Sequence, residues 1–162
     1  MRRWAQRQTA LSNERPPNPD WFDFGLRTGL DPTYTGHLGE AIVWCEWPQC
    51  RFFHRGRFDL LTVHGKAINV RTRTKCKEPR ADDCHVMPDF MVSDDPHLIY
   101  VLVCLLHNLQ CGWLCGWIPA SDFVRLAVFQ KKGTKAHNGM VHRVDAWTIE
   151  MRCIHNIETF NP

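Results

Sequence analysis

The run Leu98 to Leu106, LIYVLVCLL, constrains the fold more than any other stretch of this chain. It is far shorter than the roughly 20 apolar residues that a membrane-spanning helix needs. It carries no polar residue on either side of a pleat, so it is not a strand with one wet face. What remains is a strand covered on both faces, the centre of a layered α/β domain. The chain of 162 residues has the length for one such domain with a real core.

The flanking segments supply the layers. TGHLGEAIVWCEW reads as a helix with Thr35 as N-cap, and Pro48 stops it. Leu38, Ala41, Ile42 and Cys45 recur at helical spacing as its buried stripe, and Glu40 lies off that stripe. FDLLTVHGKAINVRTRTK, Phe58 to Lys75, reads as two strands joined at His64-Gly65. Residues 76–97 read as an acidic loop, with Asp82, Asp83, Asp89, Asp94 and Asp95. After the central strand come a second strand (CGWLCGWI), a helix (PASDFVRLAVF), a basic loop (KKGTKAHNG), a strand (HRVDAWTIEM) and a short terminal element (HNIETF). Regular alternation puts Trp113 and Trp117 on one face of their strand. The expected fold is therefore α/β, a central mixed β-sheet flanked by helices. Residues 1–20 read as a basic, proline-rich arm, and residues 21–162 as a single domain.

Charge and cysteine content narrow the function. A formal charge of +3 does not by itself demand nucleic acid, so the placement of Lys and Arg matters more than their sum. They gather as Arg51, Arg55 and Arg57 before the hairpin, as Arg71, Arg73, Lys75, Lys77 and Arg80 out of its second strand, and as Lys131, Lys132 and Lys135 in the late loop. These groups could line a path for phosphates. No apolar leader follows Met1-Arg2-Arg3, so the expectation is a cytoplasmic protein with no membrane attachment and reduced thiols. None of the eight cysteines forms a Cys-x2-Cys pair, which argues for free thiols that pack as small hydrophobes and against zinc.

The hairpin breaks the plain apolar/polar alternation. Asn69, Arg71 and Arg73 share one face of its second strand, and Asp59 sits on the first strand. An acid on one strand facing an acid-x-Lys triplet on the next is the layout of a divalent-cation hydrolase site. Hard oxygen ligands there hold Mg²⁺, and the triplet's cation meets developing negative charge.

On GHLGE and FDLLTVHGKAINVRTRTK, the sequence resembles the PD-(D/E)XK nucleases, in particular small phage and archaeal members related to Holliday-junction resolvases. The resemblance spans Gly36 to about Ile118, roughly half the chain, and YVLVCLL followed by GWIPASDF is similar to the strand, strand and helix after the motif. It implies a restriction-endonuclease-like core and DNA cleavage with Mg²⁺ or Mn²⁺. By position it assigns Glu40 to the helix acid, Asp59 to the strand acid, Asn69 to the second acid and Arg71 to the lysine. Glu40, Asp59 and Asn69 would be the metal ligands. Asn69 brings an oxygen without charge, which lowers metal affinity. Arg71 keeps a positive charge but cannot act as a base.

Arg51, Arg55, Arg57, Arg73, Lys75, Lys77, Lys131, Lys132 and Lys135 are the candidate DNA contacts, and a homodimer is the expectation by analogy with two-strand cutting. Two rivals stand beside the endonuclease: a nuclease-fold protein that binds DNA without cutting, and a protein-interaction module in phage–host conflict.

Overall fold

The computed structural model describes residues 32–53, 58–136 and 141–162. The basic arm, Arg55 and Arg57 lie outside these residues. Helix α1 (Pro32–Glu46) precedes three strands, β1 (Arg51–Phe52), β2 (Leu60–Leu61) and β3 (Ala67–Lys75). After β4 (Cys84–Pro88) and a 3-10 turn at Asp89–Met91 come β5 (Leu98–Leu106), β6 (Gly112–Pro119), helix α2 (Ala120–Leu126), β7 (Val128–Gln130) and β8 (Ala146–Glu150).

The apolar run is the centre, as its composition requires. Strand β5 lies between β3 and β6 in a five-stranded mixed sheet of order β1-β2-β3-β5-β6. It runs parallel to β3, with Asn69 beside Tyr100 and Arg71 beside Leu102, and antiparallel to β6. The β1, β2 and β3 strands form an antiparallel meander. Its faces meet different layers. Val101, Val103 and Leu105 pack with Leu38 and Val43 of α1 and with Ile68 and Val70 of β3. Tyr100, Leu102 and Cys104 pack with Phe123 of α2, with Met87 of β4 and with Ile149 of β8. Each such side chain withdrawn from water contributes about 2 kcal/mol, which is why this one strand organises both layers.

The second covering layer is not purely helical. Strands β4, β8 and β7 form a separate antiparallel sheet in that order. Its first strand falls inside the segment expected to be an acidic loop. The aspartates flank the strand, and only His85 and Met87 within it point inward, too brief an alternation to stand out. The expected helix PASDFVRLAVF also stops early, at Leu126, and Val128 and Phe129 join the small sheet, where a β-branched and an aromatic residue are at home. Among the described residues no helix is long and apolar enough to cross a membrane.

Three further expectations are corrected. Helix α1 begins at Pro32, before Thr35, and its inward stripe includes Val43, while Cys45 is exposed. Trp113 and Trp117 lie on opposite faces. The β5–β6 register shifts between Leu102 and Val103, which pair with Gly116 and Leu114, so Cys115 is an extra residue in β6. Such a bulge inverts the alternation beyond it. Trp113 then packs with the α2 layer, while Trp117 packs on the α1 side and stacks near Phe160 at 5.2 Å. The eight cysteines are free, but only Cys50 and Cys104 are buried. Cys111, for example, stands in the turn before β6, where nothing covers it.

Candidate functional site

Helix α1 seats its polar residues against β3 through a close approach. A methyl group at Gly39 would overlap the Thr72 hydroxyl, so only glycine allows this spacing. One turn of the helix places His37 Nδ1 3.2 Å from Glu40 Oε2. Residues three apart share a helix face, so this pairing follows directly from the sequence.

Asp59 begins β2. Its backbone N–H donates to the Ile68 carbonyl at 2.8 Å, and its Oδ2 accepts from the Val70 N–H at 2.7 Å. The paired register ends at Leu60 and Ile68, so Asp59 meets β3 through these two hydrogen bonds and not as a rung of the ladder. The carboxylate thus replaces a strand carbonyl at the edge of the hairpin, which fixes its position. Asn69 is buried, 6% exposed.

Arg71 lies on the same strand face as Asn69. Its Nη2 donates to the Met91 carbonyl at 3.2 Å, and its guanidinium carbon lies 5.6 Å from the centre of the Tyr100 ring. Its Nε is buried without a hydrogen-bond partner among the described residues.

These groups act on one another electrostatically. Burial pushes the Asp59 carboxyl up to about 6, and the Glu40 charge adds to that push. The Arg71 charge, the Val70 N–H and His37 pull it back. Burial lowers Arg71 from its ordinary value, opposed by Asp59, Tyr100 and Glu40. The charges of Glu40 and Arg71 thus both bear on Asp59, although Arg71 packs on the Tyr100 face of β3 and α1 covers the Ile68 and Val70 face.

The outer part of β3 differs. Arg73 donates to the Cys84 carbonyl, and Lys75 pairs with Asp83. His85, 2% exposed, lies near both arginines. Burial, reinforced by Arg73 and then Arg71, pushes it down to about 3, so it stays neutral. The other sequence-derived cations sit apart: Arg51 is exposed on β1, Lys77 is exposed after β3, and Lys131, Lys132 and Lys135 are exposed beyond β7. Two cavities of about 320 and 330 Å³ occur elsewhere, and neither is lined by Glu40, Asp59 or Arg71. The candidate site is a largely buried polar group where the short β2 strand meets β3.

Compared with known proteins, the chain matches no family model and no curated protein sequence. Sequence reasoning missed His37, His85 and Tyr100 as neighbours of the candidate site. His37 could have been found from its spacing to Glu40. His85 could not, because its strand was not expected.

Proposed function

We propose that this chain is a metal-dependent DNA endonuclease of the restriction-endonuclease-like type, weakened by Asn69. The observation that carries this reading is the seating of the Asp59 carboxylate on the Val70 N–H, between Asn69 and Arg71 in sequence, with the Glu40 charge bearing on the same carboxyl. A carboxyl whose proton affinity is raised by burial and by a neighbouring carboxylate charge favours a cation beside it.

The donor set fits Mg²⁺ or Mn²⁺. Mg²⁺ keeps several waters and takes one or two carboxylates, so it does not need a closed protein cage. Glu40 and Asp59 would hold the ion, with the Asn69 amide oxygen as a neutral third donor. When bound, such an ion polarises a phosphate and activates a water.

The protein groups supply the rest. The Val70 N–H holds the Asp59 carboxylate in place, and His37 orients Glu40. Arg71 keeps its proton and offers positive charge to a phosphate oxygen. DNA is the proposed partner. A non-cutting DNA-binding protein is the second reading, and the missing charge at Asn69 favours it.

One comparison separates them. Cleavage of plasmid and branched DNA is measured with Mg²⁺ or Mn²⁺ for this chain and for Asn69→Asp, at equal DNA affinity established without metal. The Asp form is expected to cut at least about tenfold faster, the equivalent of about 1.4 kcal/mol in the barrier. If it binds equally well and cuts no faster, the site is not a nuclease centre and the binding-protein reading takes its place.

A further inference from the structure

The small sheet carries a row of residues that leaves the core. Met87, Trp147 and Phe129 are cross-strand neighbours on one face of β4, β8 and β7. Met87 is 1% exposed, Trp147 is partly covered, and Phe129 is 41% exposed. The face begins against Tyr100, Leu102 and Phe123 and ends in solvent. Phe129 meets Trp147 edge-on, with ring centres 5.3 Å apart.

The row is linked to the candidate site. Arg71 donates to the carbonyl of Met91, the last residue of the 3-10 turn. Asp89, the first residue of that turn, accepts from the Trp147 indole N–H at 2.6 Å. Between them stands Phe90, 53% exposed. At the other end of the row β7 runs into Lys131 and Lys132, both exposed. The Lys132 N–H donates to Asp145 Oδ1 at 2.7 Å, which fixes the turn. The two nearby carboxylates, Asp89 and Asp145, are thus both occupied as acceptors.

An exposed aromatic row that ends in paired lysines fits one chemistry well. Flat rings stack on nucleobases whatever their sequence, and the ammonium groups meet the backbone phosphates. Bases inside a duplex hide their faces, so only unpaired nucleotides can use such a platform. We propose that Phe90, Phe129 and Trp147, with Lys131 and Lys132, bind unpaired nucleotides and lead DNA with single-stranded flaps or gaps to the Arg71 site. This rests on the proposed DNA-handling function and names its substrate class.

The test uses fluorescence anisotropy with three labelled DNAs of equal length: a single strand, a blunt duplex, and a duplex with a single-stranded flap. Phe90→Ala and Phe129→Ala are each expected to weaken flap and single-strand binding about tenfold and to leave the duplex unchanged. Phe129→Trp, which keeps a ring, is expected to retain flap binding. A 2-aminopurine in the flap should be quenched by the parent chain and by Phe129→Trp but not by Phe129→Ala, compared at DNA saturation with each variant's folding checked by its unfolding curve. Replacing Lys131 and Lys132 together by Ala should lower the single-strand salt slope by about 1.4, from about 0.7 per phosphate contact.

If folded Phe90→Ala and Phe129→Ala bind flaps as tightly as the parent, the platform is overturned. That result leaves the nuclease reading to stand or fall on Asn69→Asp. If the parent binds none of the three DNAs, both readings are overturned, and the apolar row is a protein contact instead.

Discussion

Asn69 and Arg71 share a strand face with Arg73 and Lys75, yet the two ends of that face meet opposite surroundings. In the first pair Asn69 is buried, and Arg71 has as its surroundings the Met91 carbonyl, the Tyr100 ring face and the charges of Asp59 and Glu40. The second pair is clamped to Cys84 and Asp83 in the connection that leads into the small sheet. The same residue type therefore closes a structural joint at one end and meets carboxylate charge at the other. A strand pattern alone treats them as equivalent; the neighbours supplied by distant segments separate them.

The largest expected effect concerns His85, which lies between the two ends. Its ordinary value is 6.5 and the fold pushes it down to about 3. In that window the unfolded chain takes up a proton that the folded chain refuses, so stability falls as pH drops below about 6.5. The full loss amounts to roughly 4 to 5 kcal/mol at about 1.4 kcal/mol per pH unit. Urea unfolding of the parent chain and of His85→Phe between pH 7 and pH 4 checks this. The Phe variant should lose markedly less stability on acidification; parallel curves would show that burial and the arginines do not hold His85 below its ordinary value.

Asp59 has the opposite sign. Its carboxyl rises from 3.8 to about 6, so the folded chain holds a proton more tightly than the unfolded one. That favourable difference is present below pH 3.8 and is lost as pH rises through about 6. Above this range the ionised carboxylate costs on the order of 3 kcal/mol. With chelator present, Asp59→Asn is expected to be more stable than the parent at pH 8, because the amide oxygen still accepts from the Val70 N–H. The gain should shrink toward zero near pH 4. A variant that is less stable at both pH values would mean that the carboxylate serves the joint rather than a charged site, and the contrast with Lys75 would disappear.

The smallest effect belongs to the clamped end. The Lys75 ammonium holds the Asp83 carboxylate below its usual range, and the two side chains keep 14% and 29% of their surface in contact with solvent. Partly wet pairs contribute little, so Lys75→Met should lower stability by about 1 kcal/mol or less. DNA affinity should change little, since the ammonium is already paired. A large drop in binding would return Lys75 to the phosphate path.

Much of this molecule was legible in the chain. The apolar run Leu98 to Leu106 required burial on both faces, and it became the centre of the mixed sheet. The helix around Glu40, the hairpin turning near His64-Gly65, and the strand and helix after the central run were all readable from period and punctuation. Such signals are local: a 3.6-residue or 2-residue period, a proline, a glycine in a turn. That Asp59 would meet the second hairpin strand was readable from the antiparallel hairpin, but its partners there, the Ile68 carbonyl and the Val70 N–H, were not.

Tertiary structure alone decided the rest. The bulge at Cys115 sends Trp113 and Trp117 to opposite layers, and no local rule marks where a register will shift. The strand at Cys84–Pro88 exists because β8 pairs with it from more than 50 residues away, an interaction that leaves no period in its own short sequence. Only that pairing brings His85 under the arginines and Trp147 to Asp89. Charge and residue type are written in the chain, but dielectric surroundings and partners come from packing. This is why four polar residues on one strand face divide into a clamp and a candidate site.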